Sequence, residues 1–148
     1  MGIFSLIKSK LVGSNMESPP VPDFNIEQFI YIKIPDSIGP IDRGEKYEDK
    51  LEALLAAQGL GSISGGGSSL GDPQPDGKRF IEFCGIDVDS TDRDKVRALL
   101  RDTLPTLGAP IGTELHYTMA GCRLQDELGD NGWLLEQKRT FLHPGFNT

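Results

Sequence analysis

Cysteine is scarce: the 148 residues contain two. Cys84 lies in an apolar run and Cys122 near a glycine, with no CxxC pair and no metal-ligand spacing to His116 or His143. That count excludes a disulfide framework and a zinc cluster, and both thiols are expected to be buried and free. Basic residues are also few, 15 Lys and Arg against 22 Asp and Glu, for a formal charge of −7. The clustered cations that drive phosphate binding are missing, which argues against a nucleic-acid partner. The same balance suits a basic protein partner, through complementary fields, or serves solubility. Long hydrophobic runs are missing from the N-terminus as well. The segment from Met1 to Val12 is apolar and slightly basic, but it is too short to span a bilayer and lacks the continuous apolar stretch and cleavage site of a secretory signal. Leu6 stands where a myristoylation signal needs Ser or Thr. The expectation is a cytoplasmic protein without stable membrane insertion.

What is present is ordinary globular material, 37% apolar and 25% charged, in a chain of single-domain length. A domain of this size can bury roughly 68–70% of its unfolded surface. The 18 Gly and 10 Pro imply several long or unusual loops. Residues 1–12 read as a short amphipathic helix whose apolar face packs on the domain, a neighbouring chain or a membrane. Pro19, Pro20 and Pro22 make the following stretch a linker. Residues 1–22 therefore form an N-terminal helix and linker, and 23–148 a single α/β domain.

Phe29 to Ile34 alternates, with Ile30, Ile32 and Ile34 on one face of a strand. From Lys46 to Gln58, Tyr47, Leu51, Leu54 and Leu55 form one helical stripe, and Gly59 sits where a helix ends. The Gly- and Ser-rich run from Gly59 to Leu70 predicts a weak, glycine-bent edge strand, followed by turn material from Gly71 to Gly77. Phe80 to Asp89 predicts the central strand. Ser90 or Thr91 is expected to cap a second helix, with Asp92 and Asp94 in its first turn and Val96, Leu99, Leu100 and Leu104 on its buried stripe. Thr113–Met119 and Trp133–Phe141 read as strands able to pair as a long hairpin across the turn signal Gly129-Asp130-Asn131-Gly132. The order β-α-β-β-α-β with a trailing strand or hairpin predicts an α+β, ferredoxin-like split βαβ fold, with both helices on one face of an antiparallel sheet.

Chemistry-bearing patterns are thin. No nucleophile, base and orienter come together in the sequence, so the chain is expected to be non-enzymatic. His116, opposite Leu115 and Tyr117 in alternation, is expected to be polar-facing and accessible, either a surface histidine or a general base. The glycine run has neither the Lys-Ser/Thr of a P-loop nor a GxGxxG between strand and helix. Asp87, Asp89, Asp92 and Asp94 are dense, but they lack the central Gly and final Glu of a calcium loop. No metal or cofactor is expected.

Three segments together carry a resemblance: Gln58 to Gly71 with its glycine-rich turn, the Ile81–Val88 strand, and the Gly-x-Pro-x-Gly approach Gly108-Ala109-Pro110-Ile111-Gly112 to the strand at Leu115. Over roughly residues 28 to 119 the chain resembles small bacterial immunity proteins encoded beside polymorphic or contact-dependent toxins. The resemblance implies a non-enzymatic inhibitor that occludes the active site of a cognate toxin, and it transfers no catalytic residue. A toxin with a basic active-site surface would be met by carboxylates, best supplied by Asp72 and Asp76 after the glycine run and by Asp87, Asp89 and Asp92 around the central strand. A small-molecule-sensing regulatory domain is the alternative, with a ligand held between chains near the glycine segment. A homodimer remains open.

Overall fold

A computed structural model describes residues 25–140. The N-terminal helix and linker expected over 1–22, and the tail carrying His143 and Phe146, lie outside the described residues. A 3₁₀ turn, Ile26–Gln28, leads into β1 (Phe29–Ile34). The helix that follows starts earlier than the expected Lys46. Pro40, preset for a first helical position, opens α1 (Pro40–Arg43), which runs through a π turn (Gly44–Glu48) into α2 (Asp49–Gln58). Gly59 ends it in the left-handed region at φ 64°, where a side chain would be strained. Then come β2 (Gly61–Leu70), β3 (Ile81–Ser90), α3 (Arg93–Thr103), a 3₁₀ turn at Pro105–Leu107, β4 (Glu114–Met119), β5 (Cys122–Gly129) and β6 (Gly132–Lys138).

Among the described residues the six strands form one sheet in the order β2-β3-β1-β4-β5-β6, and every neighbouring pair is antiparallel. The fold is therefore α+β. Tyr47, Leu51 and Leu55 from the first helical segment and Val96, Leu100 and Leu104 from the second region share one core with Ile30, Ile32, Ile34, Cys84, Ile86, Val88, Leu115 and Tyr117. Since the three isoleucines of β1 point to one face, both helices cover that same face. Phe29 and Tyr31, on the other face of β1, are buried too. Tyr31 lies across β3 at Gly85, where an added Cβ would collide with the tyrosine ring.

Three local expectations need correction. Thr113–Met119 does not pair with Trp133–Phe141, because β5 stands between them. The two-residue turn Ala120-Gly121, with φ 51° and 78°, has the twist that closes a tight hairpin from β4 into β5. Asp130-Asn131 then joins β5 to β6, with Gly129 opposite Gly132. The cap of α3 is Asp92, whose side chain accepts from Lys95 N–H, and not Ser90 or Thr91. Both of those hydroxyls are engaged elsewhere, Ser90 donating to Gln28 O at 2.6 Å and Thr91 to Gly59 O at 3.1 Å. Cys84 is buried as expected, but Cys122 is exposed, since it opens β5 directly after the turn.

Candidate functional site

The five carboxylates expected to meet a partner fall into two groups. Asp72 and Asp76 are exposed in the loop joining β2 to β3. Asp76 Oδ1 accepts from Lys78 N–H at 2.9 Å, Gln74 N–H reaches Lys78 O, and Gly71 N–H closes the loop base on Phe80 O. The two ends of the loop expose Phe80 (68%) and Leu70 (51%), so large apolar side chains flank the stretch that carries both carboxylates. Asp87 and Asp89 lie two apart on β3, on the face away from the helices. Asp87 is half-buried opposite Tyr31 and Gly65, and Asp89 is exposed opposite Phe29 and Ser62. Asp92 follows at the end of the strand, its carboxylate committed to the helix cap. β3 has 10 residues and so spans about 30 Å at a strand rise of about 3.3 Å per residue. Asp87, Asp89 and Asp92 are therefore close together, and Asp72 with Asp76 sit toward the other end of β3.

A second acidic centre went unread in the sequence. Asp126 is fully buried on the helix side of β5. Arg97 grips it in a two-pronged contact, Nε to Oδ2 at 3.0 Å and Nη2 to Oδ1 at 2.9 Å, and Arg101 Nη1 adds a bond to Oδ2 at 3.0 Å. Tyr117 O–H donates to Oδ1 at 2.7 Å and Glu136 N–H at 2.9 Å. The Arg97 guanidinium also lies 4.0 Å from the centre of the Tyr117 ring. Burial disfavours the Arg97 charge, but Asp126 outweighs it and the arginine is held above its usual value. Burial, then the bond to Asp126, pushes the Tyr117 phenol up. Every group in this set is hydrogen-bonded, and together they tie α3 to the outer strands. Two signals could have revealed it. Leu124, Asp126 and Leu128 alternate as a core-facing row with a carboxylate in the middle, and Arg97 and Arg101 sit one turn apart beside the apolar stripe of α3.

His116 does lie on the face away from the helices, but it is buried, which corrects the expectation of an accessible base. Its ring is 5.6 Å from that of Tyr31, and Nε2 is 2.7 Å from Glu114 Oε1. Burial lowers its pKa against the opposing bond to Glu114. The imidazole is thus neutral near pH 7 and the contact is a hydrogen bond to a carboxylate, not an ion pair. Two further carboxylates serve as ties. Glu27 accepts from the backbone of Gly121 (2.9 Å) and Ala120 (3.0 Å) and from Arg93. Those two backbone bonds, ahead of the arginine, hold its pKa below the ordinary value. Asp36 Oδ2 accepts from Tyr47 O–H at 2.7 Å and Lys46 at 2.8 Å, and burial followed by Asp36 pushes the Tyr47 phenol up to about 12.

Among the described residues no three or more His, Cys, Asp or Glu converge as a metal site, and no helix is long and apolar enough to cross a membrane. Compared with known protein families, curated proteins and solved structures, the chain finds no match in any of the three.

Proposed function

We propose that this chain is an immunity protein, a non-enzymatic cytoplasmic inhibitor that binds a cognate bacterial toxin and occludes its active site. The observation that carries the reading is the tip between β2 and β3. This loop carries exposed Asp72 and Asp76 between the exposed Leu70 and Phe80 at its two ends, on a chain whose formal charge is −7. Interfaces of high affinity combine an aromatic anchor with a charged rim, and rim charges set on-rate and salt dependence. The scaffold suits such presentation. The first four strands, ordered β2-β3-β1-β4 with both helices on one face, read as a ferredoxin-like split βαβ unit, extended by β5 and β6.

Co-expression with a toxin encoded beside this gene tests the reading. Phe80→Ala is expected to abolish protection, and the double reversal Asp72→Lys/Asp76→Lys to slow association and make it less sensitive to salt, with circular dichroism unchanged. Reversal of Asp87 and Asp89, away from the tip, is expected to leave protection intact. The assignment to the tip fails if protection survives the first two changes and is lost with the third. The immunity reading itself fails if no neighbouring gene product binds the chain.

A further inference from the structure

The face of the sheet away from the helices is buried along a narrow band. In register across it lie Gln125, His116, Tyr31 and Asp87, one from each of β5, β4, β1 and β3, with Arg123 and Thr118 paired in a neighbouring row. Phe29, Tyr31, His116 and Thr118 are all buried, and Tyr31 keeps only 5% of its surface. Its ring rests on Gly85, which covers one side and leaves the outer side to be covered from above. Flanking residues of the same face stay exposed: Arg123 on β5, Asp89 on β3 and Gly67 on β2. Both helices lie on the opposite face, and among the described residues the apolar side chain packed on Phe29 and Tyr31 is Ile26. One isoleucine does not bury four side chains on two strands. These exposures are those of a single chain, so the rest of the cover belongs to the same chain.

We propose that residues 141–148 form this cover, running extended from β6 across β5, β4 and β1 toward β3. The end of β6 points there. After a bulge at Leu135 and Glu136, the strand closes with Lys138 opposite Leu124, and Arg139 N–H donates to Arg123 O at 3.1 Å. The Arg139 side chain is 3% exposed. Its Nε donates to Leu124 O at 3.3 Å, its Nη2 reaches Tyr117 O at 3.5 Å, and its charge opposes protonation of His116. Arg139 thus brings the chain onto this face. Length suffices, since the four strand spacings from β6 to β3 make about 19 Å and eight extended residues reach about 26 Å. Composition fits as well: Phe141, Leu142 and Phe146 are large and apolar, and residues 141–148 contain no Lys, Arg, Asp or Glu, so they can lie over Tyr31 and His116 without stranding a side-chain charge. A single extended segment also has the width of the buried band. Residues 1–24 are the rival occupant, but near their junction with the domain they bring Pro19, Pro20 and Pro22 and the charges of Glu17 and Asp23.

The tyrosines supply the test. All three are buried, but Tyr47 and Tyr117 belong to the core under the helices and Tyr31 to the opposite face. Acetylation of the full chain by N-acetylimidazole, located by peptide mass, therefore separates a lifted cover from unfolding. In wild type none of the three is expected to react. In Phe141→Ser/Phe146→Ser, Tyr31 alone is expected to gain reactivity, by roughly tenfold or more, because the segment loses most of the apolar area that holds it down. Tyr31 already reactive in wild type, or still unreactive in the variant, overturns the proposal. If all three tyrosines react, the variant has unfolded, and nuclear Overhauser contacts in the wild-type chain decide instead. Contacts from the ring protons of Tyr31 and His116 to Phe141, Leu142 or Phe146 uphold the proposal. Contacts to residues 1–24 in their place, or to neither segment, overturn it.

Discussion

α2 and α3 lie on the same face of the sheet but hold it by different means. Under α2, the contact with β1 and β3 is hydrocarbon and aromatic: Leu51 and Leu55 meet the isoleucine row and Val88 in one buried cluster. α3 has a similar apolar stripe, but the flank toward β5 and β6 replaces leucine with Arg97 and Arg101 closing on Asp126. Two helices do not cover six strands. Where the helix layer runs out, long arginine stems with hydrogen-bonded heads extend its reach over a further strand. An apolar contact degrades gradually when atoms are removed. A buried ionic contact degrades abruptly, because the partners left behind are charged.

The sharpest way to break this comparison is Asp126→Ala. It strands two arginines and the Tyr117 hydroxyl, and is expected to cost about 3–5 kcal/mol of unfolding free energy by chemical denaturation. Replacing Asp126, Arg97 and Arg101 together by apolar residues of similar volume is expected to recover most of that loss. If the single change costs less than the triple one, the ionic account of this half is wrong. On the hydrocarbon side, Leu51→Ala is expected to cost about 2–5 kcal/mol, scaled by the cavity it leaves. In a double-mutant cycle its effect is expected to add to that of Asp126→Ala within about 0.5 kcal/mol.

A smaller effect is expected at the start of α3. Asp92→Ala removes the acceptor for Lys95 N–H and should cost about 1 kcal/mol in the same assay, with Asp92→Asn close to neutral. The smallest is a pH response. Burial holds His116 below its ordinary 6.5, so the unfolded chain binds the extra proton and stability falls as the pH drops below that value. Glu27, Asp36, Asp94 and Glu114 are also lowered. Their contributions are present above the unfolded carboxylate values and are lost at more acid pH, as it falls through the folded ones. Melting temperature should therefore decline between about pH 7 and pH 5 in wild type, and this first decline should be missing in His116→Gln.

The legible parts of the chain are those where one period dominates. β1, β3 and the stripe of α3 follow from alternation and helical spacing, and the glycine run is the bent edge strand its composition implies. β5 was hidden because its core-facing row contains Asp126, which reads as polar until Arg97 and Arg101 are placed against it. The start of the first helix was hidden because Gly39 and Gly44 bracket Pro40–Arg43 and look like loop. Alternation assigned His116 to the correct face, yet exposure depends on what covers that face, which local pattern does not encode. Of the expected partner-binding residues, Asp72, Asp76 and Asp89 are exposed and Asp87 is half-buried, whereas the carboxylate of Asp92 accepts from its own helix.

The bulge on β6 also bears on how the chain can change length. β6 carries one residue more than its partner strand between the pairs Gln125–Gln137 and Glu127–Leu134, and the surplus is absorbed at Leu135 and Glu136. Deleting one of them would make the ladder regular. It would also withdraw the Glu136 N–H from Asp126, so a sequence one residue shorter here would need a different answer to Arg97 and Arg101.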